Sequence, residues 1–384
     1  MKKKILYVSS SRSDFGIISQ LLIKIDNFPK IDLHILITGN HFSKDFGYTI
    51  NEIKKIKNNK LSLLKINDMK LINPNFVLKE IVDKYPTILK KINPSAVMIL
   101  GDRYEIAQIA LMTHLNDYPL IHFHGGEKTL GSKDDNFRHV ISKLSQYHFV
   151  SHKIYKRRLI QLGEEKKNIQ NIGSLSLEDY EYKKNYKKYL EHKYEFLKNK
   201  KNFFIITLHP SLTIKKTKQE LNIIVKAIIF FKNLNFVFTS PNHDYGYKVI
   251  INKINHLISK YRNIYYVRNF GKDNFLPILK LSSGLIGNSS SGVIEAPFLK
   301  KPSINIGDRQ KGRLLSSTVY NCKNSINDLR KIIKLIDDKD YKINSKKIFI
   351  SRKINVSEKI LTFLDKSNFS KVSINKNFRD LNFK

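Results

Sequence analysis

The chain has 384 residues, with 69 Lys and Arg against 33 Asp and Glu, a formal charge of +36. Apolar residues make up 41% and aromatics 11%, which excludes a disordered chain and suffices for about two packed domains. The one cysteine, Cys322, excludes an internal disulfide and a multi-cysteine zinc site and points to a reducing, cytoplasmic setting.

The amino terminus, Met1-Lys2-Lys3-Lys4-Ile5-Leu6-Tyr7-Val8, imitates the basic start of a signal peptide. Its apolar run stops at Ser9-Ser10-Ser11-Arg12, short of the ~7–15 apolar residues such a segment needs. No stretch approaches the ~20 apolar residues that cross a bilayer, so a soluble protein without a membrane partner is expected. The excess lysine is scattered with Asn and Ile, as in Lys54-Lys55-Ile56-Lys57 and Lys198-Asn199-Lys200-Lys201. It forms no basic stripe interleaved with aromatics and reads as decoration of solvated faces, not as a nucleic-acid surface.

In chain order, β-branched and aromatic runs predict strands at Lys4–Val8, Leu33–Thr38, Ala96–Leu100, Leu120–His124 and Tyr147–Ser151. Helical periodicity falls between them at Ile17–Ile25, Phe76–Ile92, Glu105–Leu115 and Phe137–Leu144. The series pauses between about Glu178 and Lys201. It resumes with strands at Phe203–Leu208, Asn235–Ser240, Ile264–Val267, Gly284–Gly287 and Ser303–Ile306, and helices at Asn222–Phe231, Tyr247–Tyr261 and Phe275–Leu281. Strands apolar on both faces, alternating with helices, predict an α/β fold of helix-covered parallel sheets. The expected organisation is a Rossmann-like domain over 1–180, a second over 200–366, and a flexible tail over 367–384. A ligand is expected in the cleft between the domains, at the carboxyl ends of the strands.

Polar and glycine residues gather just after the strand ends. Arg12, in Ser11-Arg12-Ser13-Asp14, suits an anion, while Ser13 or Asp14 alone would serve as a helix cap. Gly101-Asp102-Arg103 sets a base beside a cation. His122-Phe123-His124-Gly125-Gly126-Glu127 precedes Asp134-Asp135 and the helix with Arg138 and His139. The two histidines with nearby acids fit a metal less well than a proton-transfer cluster, because no third ligand has clear spacing. His122 also fits a satisfied core histidine. In the second half, His209-Pro210 and Pro241-Asn242-His243-Asp244 each close a strand. Asn288-Ser289-Ser290-Ser291-Gly292 closes another and opens a helix carrying Glu295, a pattern suited to phosphate. Gly307-Asp308-Arg309-Gln310 strengthens the case for a diphosphate.

This ordered set resembles the hydrolysing UDP-N-acetylglucosamine 2-epimerases, enzymes that feed sialic and legionaminic acid synthesis, over roughly residues 5–315. The resemblance implies a glycosyltransferase-B-like pair of Rossmann-like domains, the second holding most of the nucleotide. It implies loss of the C2 proton and of the nucleoside diphosphate to give a glycal, then hydration to the free 2-epimer. It implies no nicotinamide, metal or other cofactor. Asp102, Glu127 and Asp134 match the catalytic carboxylates, with His124 beside them. Arg12, Arg103, His209, Ser289, Ser290, Glu295 and Arg309 match nucleotide or phosphate contacts, and Arg138, Asn242, Asp244 and Ser291 stand in the same motifs.

The chain departs from many relatives at His124, where they carry an acid. The loop from Glu127 to Asp134 is one residue longer, which leaves either Asp134 or Asp135 as the catalytic one. The legionaminic branch includes users of GDP-linked sugars, so the base stays open, as does homo-oligomer formation. A non-hydrolysing epimerase and a glycosyltransferase share the fold and are separated by what they release.

Overall fold

A computed structural model describes residues 2–42, 49–54, 56, 60–64, 73–177, 186–242, 245–341, 344 and 355–380. The chain forms two compact units, one from 1–127, 134–179 and 352–384, the other from 128–133 and 180–351.

The first unit is built on β1 (Lys3–Ser9), β2 (Ile31–Ile37), β3 (Lys60–Leu63), β4 (Ala96–Leu100), β5 (Leu120–Phe123), β6 (Tyr147–Val150) and β7 (Ile169–Asn171). They pair in parallel in the order β3-β2-β1-β4-β5-β6-β7. Its helices include α1 (Arg12–Asp26), α2 (Ile50–Ile53), α3 (Pro74–Ile92), α4 (Tyr104–Leu115), α5 (Asp134–Leu144) and α6 (Lys153–Gln161). Alternation along β1 sends Ile5 and Tyr7 into one core and Leu6 and Val8 into the other, so the strand is apolar throughout. Local sequence sets the bounds of α3: Asn73 caps it, Pro74 takes the first turn, and left-handed Asn93 ends it.

The second unit repeats the winding with β8 (Phe203–Thr207), β9 (Asn235–Thr239), β10 (Ile264–Val267), β11 (Gly284–Gly287), β12 (Ser303–Asn305) and β13 (Val319–Asn321). The parallel order is β10-β9-β8-β11-β12-β13. Around it lie α7 (Tyr186–Lys193), α8 (Ile214–Ile228), α9 (Tyr247–Lys260), α10 (Lys272–Leu281), α11 (Glu295–Phe298) and α12 (Ile326–Asp337). Phe204, Ile206, Phe236 and Phe238 fill one side of this sheet, and Phe203, Ile205 and Val237 the other. Strand order reverses between β1 and β4 in the first sheet and between β8 and β11 in the second. Those switch points are where doubly wound sheets take ligands.

Strands β3, β7 and β13 escaped the sequence reading because they are short, polar edge strands without a two-sided apolar signal. The carboxyl terminus needs a larger correction. Helix α13 (Val356–Lys366), expected in the second domain, packs in the first: Val356, Ile360 and Leu364 join the core of Ile5 and Tyr7. The expected flexible tail also packs there, with Phe369 3% exposed in the same core. Lys3 Nζ, from the stretch that imitated a signal peptide, donates to the Leu364, Asp365 and Ser367 carbonyls at 2.6–2.7 Å, closing the end of α13. Lys376 Nζ donates to Glu164 Oε2 at 2.6 Å and to the Ser145 carbonyl at 2.7 Å. Phe369→Ala is therefore expected to cost about 3–5 kcal/mol, read as a lower urea midpoint for the first unit; an unchanged midpoint would return the tail to the flexible class.

Candidate active site

At the switch point of the first sheet, β4 runs into Gly101-Asp102-Arg103, β5 into His124-Gly125-Gly126-Glu127, and α5 opens with Asp134 and Asp135. The three segments meet at Arg138, whose side chain is 2% exposed. Its guanidinium pairs with Asp102 and donates to Asp135 Oδ1 at 2.8 Å and the Glu127 carbonyl at 3.0 Å. Burial opposes the charge, but Asp102, Glu127 and Asp135 outweigh it and hold the arginine above its ordinary pKa. Asp135 reaches Arg138 because the two stand three residues apart on one helix face. Asp134, the first residue of α5, is half-buried, and its neighbour Asp135 pairs with Arg138.

Glu127 is buried, accepts a hydrogen bond from the Ser151 hydroxyl at 3.1 Å, and lies 3.4 Å from His124 Nδ1. His124 adopts a left-handed φ of +67° just past the strand, so it does not continue the strand's alternation from His122. His122 is the core histidine. Its ring nitrogens bond Ser142 Oγ at 3.1 Å and the Gly101 carbonyl at 3.0 Å, bracing the Asp102 turn against α5. Burial drives its pKa down to about 3 against the pull of that carbonyl. Gly126 sits at φ +75° with the Tyr155 carbonyl where a Cβ would go, so only glycine lets the chain turn here toward Glu127. Arg103 Nε donates to buried Glu105 Oε1 at 2.5 Å, a pairing that sequence reading did not foresee. The side chain of Arg12 lies outside the described residues.

In the second unit, Asn288 at the end of β11 is the hub. Its Oδ1 accepts from the His209 N–H at 2.7 Å and its Nδ2 donates to the His209 carbonyl at 2.9 Å. Its carbonyl accepts from Gln310 Nε2 at 2.8 Å and from the Arg309 guanidinium at 3.5 Å. The Asn242 N–H donates to His209 Nδ1 at 2.9 Å, which puts the neutral ring's proton on Nε2. One residue thus draws together His209, Arg309 and the serine turn, its amide holding His209 and its backbone carbonyl Gln310 and Arg309. Asp244 lies outside the described residues.

The expected helix after the serines is shorter than its pattern suggests. Ser289 caps a 3₁₀ turn over Ser290–Gly292, and α11 follows with only four residues, beginning at Glu295 and ended by left-handed Lys300. So short a helix carries little dipole. The segment Lys128–Lys133 belongs to this unit: the Leu130 N–H donates to the Lys311 carbonyl at 2.9 Å. A Cβ at Gly131 would run into the Asp308 carbonyl, so the approach requires glycine. Sequence reading also passed over buried Glu220, which accepts from the Ser211 hydroxyl at 2.6 Å and whose pKa burial raises.

Among the described residues, no group of three or more His, Cys, Asp and Glu is placed to hold a metal ion. No helix among them is long and apolar enough to cross a membrane.

Two doubly wound parallel sheets, each with polar groups at its switch point, define a glycosyltransferase-B-like α/β protein. The UDP-N-acetylglucosamine 2-epimerase from Neisseria meningitidis bound to UDP-GlcNAc shares the fold, with a TM-score of 0.77 at 18% identity over 95% of this chain and 100% of that one. The family model described as UDP-N-acetylglucosamine 2-epimerase matches residues 23–365. The chain is 38% identical to the GDP/UDP-N,N'-diacetylbacillosamine 2-epimerase (hydrolyzing) of Campylobacter jejuni, over 89% of this chain and 90% of that one. It is 37% identical to polysialic acid biosynthesis protein P7 of Escherichia coli, over 88% and 87%. The chain belongs to the UDP-N-acetylglucosamine 2-epimerase family.

Proposed function

We propose that the chain is a hydrolysing 2-epimerase. It converts a nucleoside-diphosphate N-acetyl-hexosamine, or a diacetamido 6-deoxy relative, to the nucleoside diphosphate and the free 2-epimer. The observation that carries this reading is the Asp102–Arg138–Asp135 set beside Glu127 at a switch point. Its chain is 38% identical to a relative named as a hydrolyzing 2-epimerase.

The C2–H bond is weakly acidic, so its cleavage has to be coupled to departure of a good leaving group. Asp102 takes the proton, the C1–O electron pair leaves with the diphosphate, and the glycal double bond forms between C1 and C2. Arg138 and Asp135 hold Asp102 in place, removing rotamer freedom before the reaction. Water then adds to C1 and a proton reaches C2 on the other face, which inverts that carbon. Glu127, with His124 against it, receives the proton that the water loses. His209, Asn242, Asp244, Ser289, Ser290, Ser291, Glu295 and Arg309 are the proposed nucleotide contacts of the second unit, and Arg12 and Arg103 are phosphate contacts of the first. We place the reaction in the cytoplasm, with the nucleotide sugar as the small-molecule partner.

The test is incubation in heavy water with UDP-N-acetylglucosamine and with UDP- and GDP-linked diacetamido 6-deoxy sugars, followed by NMR. One nucleoside diphosphate should appear per free 2-epimer, with deuterium at C2. The Campylobacter relative's name carries both GDP and UDP, so the preferred base is part of the readout. Return of an intact epimerised nucleotide sugar would make the chain a non-hydrolysing epimerase, and retention of the original C2 hydrogen would exclude the glycal route.

A further inference from the structure

On the β1 side of the same switch point stands a carboxyl that the mechanism above does not use. Asp14 lies in the first turn of α1, and its Oδ2 accepts from the Ser11 hydroxyl at 2.7 Å and the Ser10 hydroxyl at 3.3 Å. Its Oδ1 looks toward the turn carrying Asp102: a Cβ placed on Gly101 would lie 3.5 Å from it. The neighbouring acids have different company. Asp102 and Asp135 face Arg138, and Glu105 faces Arg103, whereas the hydrogen bonds to Asp14 come from neutral hydroxyls. The charged and titratable groups around it are Arg103, Asp102 and Glu105 from the β4–α4 turn and Tyr7 from β1. Asp14 is half-buried. Burial pushes it up to about 7, against the Ser11 hydroxyl and Arg103 and with help from Asp102 and Glu105. Acids that share a site but differ in environment divide into proton holders and proton takers.

We propose that Asp14 is the acid of the hydration half-reaction, delivering its proton to C2 of the glycal while water bonds to C1. This rests on the hydrolysing-epimerase reading. The C1=C2 electron pair takes the proton from Asp14, the water oxygen bonds C1, and the water's surplus proton goes to Glu127. Asp102 already holds the hydrogen removed from C2. The cycle closes when one of these two protons returns to Asp14 and the other is released with the diphosphate.

The competing account is structural. The Asp14 N–H donates to Ser11 Oγ at 3.3 Å, so Ser11 and Asp14 also make a reciprocal helix cap. Full-length Asp14→Asn and Asp14→Glu separate the two. In Asp14→Asn, nucleoside diphosphate should still form, while free epimer falls about 10²–10⁴-fold and glycal accumulates, as read by NMR. Asp14→Glu, which keeps both the cap and the acid, should recover part of the hydration. A second readout needs no turnover. Because the folded-state pKa is raised, the stability from protonated Asp14 is full below the ordinary 3.8 and is lost as pH rises through about 7. Asp14→Asn should flatten that slope. A wild-type ratio of free epimer to diphosphate in Asp14→Asn overturns the proposal alone, as does an equal loss of both products with only a lower melting point. A wild-type protein that turns over none of the sugars overturns the epimerase reading and the proposal with it.

Discussion

An Asp102→Asn enzyme should bind the nucleoside diphosphate like wild type while its kcat falls by about 10²–10⁴-fold. Asparagine keeps the size of aspartate, and its amide oxygen can still accept from Arg138, but it cannot take a proton from carbon. Arg138 retains Asp135 at 2.8 Å and the Glu127 carbonyl at 3.0 Å, so the fold around the guanidinium should hold. His209 and Arg309, proposed nucleotide contacts, are each bonded to Asn288 within the second unit. Calorimetric titration of the diphosphate and NMR rates on the same samples give the two numbers. Turnover at the wild-type rate would remove Asp102 from the chemistry.

Arg138→Met should destabilise the first unit by about 3–5 kcal/mol and silence the enzyme as well, because it strips the cation from a buried ion-pair set. The side chain is 2% exposed and faces two carboxylates. Without it, Asp102 and Asp135 repel each other in a partly buried site, and the Glu127 carbonyl loses this donor. Arg138→Lys restores the charge but not the two-pronged fork, so it should recover only part of the stability. Urea unfolding measures both variants, and a methionine variant with the wild-type midpoint would show that the ion pairs contribute nothing net.

These two residues also mark how much of the site was legible beforehand. Asp102 stood out because it follows an all-apolar strand whose carboxyl end is where doubly wound folds place ligands. Arg138 was visible only as part of a motif; that it joins three segments emerges from the packing of α5 against the β4 and β5 turns. Spacing left Asp134 and Asp135 open, because neighbouring helical positions differ by about 100° and only a partner decides which one turns inward. Asn288 looked like part of a serine turn. Its role as hub depends on His209, 79 residues away in sequence. Glu105 and Glu220 carried no signal at all, since a lone acid on a helix ordinarily faces solvent.

The sequence by itself determined the α/β class, the buried strands of both sheets and the ordered motifs at their carboxyl ends. Those properties are written in local periodicity: a strand covered on both faces is apolar at every position, and the turn after it must carry the polar groups. Only the tertiary structure decided which acids share a cation and that the carboxyl-terminal helix and tail return to the first unit. Such facts depend on partners tens to hundreds of residues distant, and no local pattern encodes the distance between two side chains that the fold has yet to bring together.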